Sequence, residues 1–280
     1  MEKEEKGYCL VSQQIRDKIE RGEIKTSSKI SRDKKGRFQD QNLENRVQPS
    51  SFEPTISDEI YILDTAQSVF MANPGQTLYR SLLELPKRQR KKINISGGYE
   101  IRRGFHYLIP LEERIKVVSG ERIRSSPKSS IGRLFPIARM ISDYNLSFNE
   151  ISYEHSEGKE IMTWLLIQPT RFNKIIHPGS TLNQLRFLQG TDVSLSQREI
   201  INEHRKNPLI LERDKDGKLV PIKQIITDDG LHIGMDITGD HTSGIIALRA
   251  IDNPEPIDIE LKNHYNPEDF FEPVKILIDL

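Results

Sequence analysis

The chain has 280 residues but only one cysteine and one tryptophan, and it carries no excess charge: 41 lysines and arginines balance 41 aspartates and glutamates. A single thiol, Cys9, excludes an internal disulfide framework and any zinc site built on several cysteines. It reads as a small apolar residue near the start of the fold. Charge neutrality speaks against duplex DNA as the main partner, because such domains carry a net basic field, and no nucleic acid is expected. A small anionic ligand needs only a few local cations and is not excluded. No apolar run approaches the ~20 residues that a membrane helix needs. The charged start MEKEEKGY has no apolar signal core behind it, so no membrane is expected and a cytoplasmic location is the default.

What is present reads as short elements. LVSQQIRDKIERG (10–22) predicts a helix over 12–21, with Ser12 as its cap, Ile15 and Ile19 on one face, and Gly22 at a left-handed stop. Residues 25–46 are rich in lysine, arginine, serine and asparagine and predict a surface loop. From residue 47 the texture changes to apolar runs broken by proline, glycine and asparagine: EIYILD (59–64), YLIPL (107–111), RIKVV (114–118), TWLLI (163–167) and QLRFL (184–188). Many short strands at this spacing suggest a sandwich or barrel. SGGYEIRRG (96–104) carries the glycines of a turn feeding a strand, SQREIINEHRK (196–206) predicts a second helix capped by Ser196, and DKDGK (214–218) a hairpin turn. HIGMDI (232–237), GIIALRAI (244–251) and PIDIEL (256–261) add strand-like pieces. The chain stops on VKILIDL, an apolar strand-like end that must pair with something, which suggests a continuing domain.

The stretch SSPKSSIGRL (125–134) carries the most chemistry. Pro127 fixes one dihedral, Ser129 and Ser130 offer hydroxyls and amides, Gly132 allows close approach, and Lys128 and Arg133 add positive charge. Such a concave set of donors suits a polyphosphate, although the same composition also makes an ordinary turn.

PKSSIGRL resembles the proline-basic-Ser-Ser-x-Gly-Arg-Leu motif of the trimeric dCTP deaminase and dUTPase superfamily. GYCLVSQQIRDKIERGEI (7–24), VQPSSFEPTISDEIYIL (47–63), HPGSTLNQLRF (177–187) and IDIELKNHYNPEDFFEPV (257–274) resemble further blocks of that family in order and spacing. The resemblance is closest to the long bacterial dCTP deaminases, in which two copies of the fold sit in tandem. It implies an all-β dUTPase-like β-barrel, a distorted jelly roll with short helices, plus a partial second copy. The expected organisation is an N-terminal helix and polar loop (1–46), a nucleotide-binding domain (47–195), a helical linker (196–227) and a partial second β domain (228–280).

The implied reaction is hydrolytic deamination of dCTP to dUTP and ammonia. The alternatives are dUTP pyrophosphatase activity and a catalytically degenerate protein that binds a deoxynucleotide for regulation. Lys128, Ser129, Ser130 and Gly132 would surround phosphate oxygens. Arg133 would contact phosphate or position the base and catalytic water, with Ser129 and Arg133 serving the chemistry. Gln184 would bind a phosphate or the nucleoside edge. Mg2+ is expected to arrive on the triphosphate with no direct protein ligand. A homotrimer or pseudo-trimer is expected because pockets in this superfamily form at subunit contacts.

The sequence departs from the family between 148 and 169. The family's Phe/Ile-Asp pair reads Phe148-Asn149 here, and aligning LIQP (166–169) puts Leu166 at the catalytic glutamate. Glu157 or Glu160 reaches the pocket if the alignment is shifted by the insertion; otherwise the glutamate belongs to the second copy, or the protein binds without turnover. His155-Ser156-Glu157 matches half of a zinc-deaminase signature, but the two-cysteine half cannot exist, so it reads as a polar loop. The basic run 87–92 reads as a solvated loop rather than a nucleotide contact, and Trp164 as core. Tyr265 and Phe270-Phe271 are expected at an interface. Asp236 and Asp240 would suit a metal or a plain strand and turn equally well.

Overall fold

The structure, a computed structural model, describes residues 6–64, 70–134, 136–190, 193–234, 237–239, 244–252 and 255–275. Asp236, Asp240 and the chain end 276–280 lie outside the described residues. The chain divides into two compact units, residues 1–191 with 251–270, and residues 192–250 with 271–280.

The first unit is built on two six-stranded, mainly antiparallel sheets. In one, Glu121–Pro127 lies between Glu150–Ser152 and Asn183–Gln189, with Ser51–Phe52 and Val47–Gln48 beyond and Tyr8–Cys9 also pairing with Asn183–Gln189. In the other, Pro136–Ser142, Glu160–Pro169, His106–Lys116, Glu59–Leu63 and Arg90–Asn94 follow one another, and Ile24–Lys25 pairs with His106–Lys116. Alternation along the strands sends Ile123, Leu185 and Phe187 from the first sheet and Ile109, Ile115, Ile161 and Leu165 from the second into one shared core. The predicted all-β fold with short helices is what forms, but the described strands run as open paths and do not close into the predicted barrel.

The opposite face of the second sheet has its own core. Trp164 and Leu166 alternate with the residues that face the shared core, and they join Tyr61, Leu63, Leu108 and Ile141. The helix Leu78–Glu84 covers this face with Leu78 and Leu82. Asp143 fixes that helix: its two carboxylate oxygens accept the amides of Leu78 at 2.8 Å and Met162 at 2.9 Å. YLIPL and the first three residues of RIKVV, read as two runs, form a single eleven-residue strand, His106–Lys116. Pro110 is tolerated in its middle because this strand itself bulges there: three residues, 111–113, stand opposite the single residue between Met162 and Trp164, next to the position where Pro110 has no amide to offer.

Three local readings are corrected. The first helix spans Ser12–Glu20 as expected, but Val11 occupies the cap position and gives its amide to Gln14 Oε1 at 3.0 Å, so Ser12 is the first helical residue. The stretch 25–46 is not a plain loop: Phe38 and Leu43 are buried, and Asp40 caps a helix over Gln41–Arg46. The basic run is a short 3-10 turn, Lys87–Gln89, leading into the edge strand Arg90–Asn94. In the second unit, Ser196 and Glu199 cap the helix Gln197–Lys206 reciprocally. There, 214–218 turns between Leu211–Arg213 and Leu219–Pro221, and Ile245–Ala250 pairs with Phe271–Lys275.

Candidate functional site

The motif 127–134 follows directly from the strand Glu121–Pro127. Pro127 ends the pairing with Asn183, and Lys128 gives its amide to the Leu182 carbonyl at 3.1 Å. The chain then turns through a single helical turn, Ser129–Gly132. The amides of Ser129, Ser130 and Ile131 lead that turn and have no acceptor among the described residues, as expected for the first turn of any helix. The hydroxyls of Ser129 and Ser130 are exposed beside them.

These donors face a cavity of about 400 Å³ lined by Lys128, Ser129, Ser130, Gln184, Gln48, Pro49, Ser50, Ser51, Glu53 and Arg186. The register pairs Gln184 with Ser126, and the Gln184 amide donates to Ser126 Oγ at 3.1 Å while its oxygen accepts from Ser51 Oγ at 3.3 Å. Gln184 is therefore fixed in orientation before any ligand arrives. Lys128 Nζ donates to Glu53 Oε2 at 2.6 Å and to Thr181 Oγ1 at 2.7 Å, and Thr181 donates in turn to Glu53 at 3.2 Å. The Glu53 side chain is 11% exposed and that of Lys128 26%. Arg186 is exposed on the cavity wall and has no carboxylate partner among the described residues. The cavity thus brings a fixed amide, two free hydroxyls, turn amides and two cations around one space, with Glu53 as its one carboxylate.

Of the residues expected from sequence, Lys128, Ser129, Ser130 and Gln184 come together here. Gly132 and Arg133 lie in the same turn but do not line the cavity, and Arg133 is exposed. Glu157 has a left-handed backbone at φ 48° and pairs with Lys159, and Glu160 pairs with Lys25; neither lines the cavity. Leu166 is 5% exposed within the second core. Tyr265 packs edge-on to Phe270 at 5.4 Å, and Phe270 to Phe172 at 5.6 Å, so these rings pack against one another within the first unit. Sequence reasoning did not single out Glu53, Thr181 or Arg186, although all three sit inside blocks it had noted, VQPSSFEPTISDEIYIL (47–63) and HPGSTLNQLRF (177–187).

Family comparison accounts for nearly the entire length. Residues 7–191 match the 2'-deoxycytidine 5'-triphosphate deaminase (DCD) N-terminal domain, and residues 196–278 match the C-terminal domain of the same family. The chain belongs to the dCTP deaminase family. The reaction that goes with this family is deamination of dCTP to dUTP, a hydrolase activity in nucleotide metabolism. Among solved structures, the 2'-deoxycytidine 5'-triphosphate deaminase from Agrobacterium tumefaciens superposes with a TM-score of 0.78 at 22% identity, over 96% of this chain and 69% of that one. At that identity the likeness speaks to the fold. No curated protein matches the chain.

Among the described residues no helix is long and apolar enough to cross a membrane, and no group of three or more histidine, cysteine, aspartate or glutamate side chains is arranged to hold a metal ion.

Proposed function

We propose that this member of the dCTP deaminase family holds the triphosphate of its substrate in the cavity walled by Lys128, Ser129, Ser130 and Gln184. The observation that carries the reading is the convergence of these four residues, from the turn after the strand Glu121–Pro127 and from the neighbouring strand Asn183–Gln189, on one space lined mainly by polar side chains. Serine hydroxyls and turn amides supply short donors to phosphate oxygens, and Lys128 and Arg186 supply charge. Mg2+ fits this donor set as a passenger on the phosphates, because the lone wall carboxylate, Glu53, is already engaged by Lys128. Bound there, the ion would neutralise phosphate charge.

Deamination requires a carboxylate that activates water, protonates the ring nitrogen and then the leaving ammonia. Leu166 cannot do this, and Glu157 and Glu160 are engaged elsewhere. In this proposal the proton-handling glutamate comes from another copy of the fold, in a homotrimer or pseudo-trimer, with the exposed Arg133 reaching into the shared pocket. The burial of Leu166 also favours a second reading, in which the chain binds deoxynucleotide without turning it over. Incubation of the pure protein with dCTP and Mg2+ separates the two. Equal amounts of ammonia and dUTP support the deaminase, and pyrophosphate from dUTP points to the pyrophosphatase. Tight dCTP binding with neither product leaves the binding protein, and absence of binding removes every reading.

A further inference from the structure

We propose that Asp258 and Glu260 are positioning residues for the triphosphate cradle, holding the turn at 177–181 so that Thr181 keeps Lys128 in place. The inference rests on the cradle proposed for the triphosphate and extends it to a segment that lies far away in sequence.

Residues 251–270 fall within the stretch matched by the C-terminal family domain, yet they pack as part of the first unit. Ile257–Asp258 adds in parallel to Lys174 and Ile175, on the edge opposite the strand Tyr99–Ile101. This brings two carboxylates onto the turn that follows Lys174–Ile176. Asp258 Oδ2 lies 2.9 Å from His177 Nε2, and Glu260 Oε1 accepts from Ser180 Oγ at 2.5 Å. Asp258 is itself fixed: Tyr265 Oη accepts its amide at 2.7 Å, and its other oxygen accepts the Glu260 amide at 3.0 Å. Gly98 packs against the same imidazole, where an added Cβ would lie only 2.8 Å from His177 Cε1. The His177 ring is therefore held by the Asp258 carboxylate and packed closely against Gly98.

The next side chain along, Thr181, is the one that accepts from Lys128 and donates to Glu53. The backbone of the turn is tied to Ile56 at Gly179 and Ser180, and its His177 and Ser180 side chains, which precede Thr181, are held by the two acids. Electrostatics makes the role testable by sign. Two carboxylates close to a triphosphate site repel the ligand, so removing them for charge alone strengthens binding. If they act by holding the turn, removing them weakens binding instead.

The test measures the affinity of the full chain for inorganic tripolyphosphate with Mg2+, together with KM and kcat for dCTP. Asp258→Ala with Glu260→Ala is expected to weaken tripolyphosphate about tenfold, on the order of one charge-assisted hydrogen bond. KM rises in step and kcat stays within about twofold. Thr181→Val gives a similar loss, and the triple variant is no weaker than Thr181→Val alone, because the acids act through Thr181. Glu260→Gln, which keeps an acceptor for Ser180 and loses the charge, binds at least as well as the parent. Should the double variant fail to fold, Glu260→Ala alone carries the same comparison. Unchanged or tighter binding in the alanine variants, or losses that simply add to that of Thr181→Val, overturns the inference while leaving the cradle intact. A parent protein that does not bind tripolyphosphate overturns the cradle reading and the inference with it.

Discussion

Replacing Leu166 with glutamate introduces the carboxylate expected at this position from the resemblance of LIQP (166–169), and the packing around it sets the cost. Leu166 is 5% exposed and packs with Trp164, Leu108 and Ile141 under Leu78 and Leu82 of the covering helix. Glutamate is of similar volume, so desolvation decides the outcome. Losing the buried leucine costs about 2 kcal/mol, and burying a carboxyl without a partner costs about 2–3 kcal/mol more even if it takes up a proton. At ~2–4 °C per kcal/mol for a domain of this size, the melting temperature falls by about 10–15 °C. Burial raises the carboxyl's pKa in the folded state above its unfolded value, so the folded form holds a proton that the unfolded form releases. The penalty is therefore smallest at low pH and grows as pH rises through the raised pKa, so the deficit is larger near pH 8 than near pH 5. Thermal melts at both pH values, paired with ammonia release from dCTP, provide the assay. If the variant melts with the parent at both pH values and releases ammonia faster, Leu166 faces the reacting base and not a core.

Other substitutions test the remaining parts. Lys128→Ala should weaken tripolyphosphate by about tenfold to a hundredfold in a calorimetric titration. Glu53→Gln should strengthen it by about threefold, since the carboxylate that competes for Lys128 is gone. Arg133→Ala should abolish dCTP turnover while leaving tripolyphosphate affinity within about twofold, because Arg133 is exposed and off the cavity wall. Lys174 is 2% exposed, and burial lowers its pKa to about 8, so the folded form loses its proton before the unfolded form does. Stability should therefore rise from about pH 8 to about pH 10.5. Lys174→Met removes that rise and, after the lost bond to the Phe172 carbonyl, stabilises the protein near neutral pH by about 1–2 kcal/mol, read from melting curves across pH. Asp143→Ala should cost about 2 kcal/mol, read from the same melts, by freeing the amides of Leu78 and Met162.

Local chemistry made much of this legible. The helix at 196–206 announced itself because Ser196 and Glu199 satisfy each other's ends without help from the rest of the fold. The strands around Ile60, Leu165 and Leu185 showed in their apolar runs, and Gly217 marked its hairpin turn with φ 76°. Lys128, Ser129 and Ser130 were legible because hydroxyls, cation and proline are contiguous. The hidden features depend on distant partners. Phe38 and Leu43 are lone apolar residues in a polar stretch, and only the core they enter shows that 25–46 is not a loop. The join of 106–116 into one strand required a bulge at 111–113, next to Pro110. Glu53 and Thr181 meet Lys128 from positions 75 and 53 residues away, a distance that no local pattern spans. The return of Asp258 to His177 crosses 81 residues and a separate unit.

The most direct test of the triphosphate cradle is a crystal structure of the protein soaked with dCTP and Mg2+. Triphosphate oxygens within hydrogen-bond distance of the Ser129 and Ser130 hydroxyls and Lys128 Nζ, with Gln184 and Arg186 on the flanks, are the expected result. A triphosphate lodged instead in the larger cavity of about 740 Å³ lined by His177, Glu112 and Glu260, with the 128–130 turn bare, would contradict it.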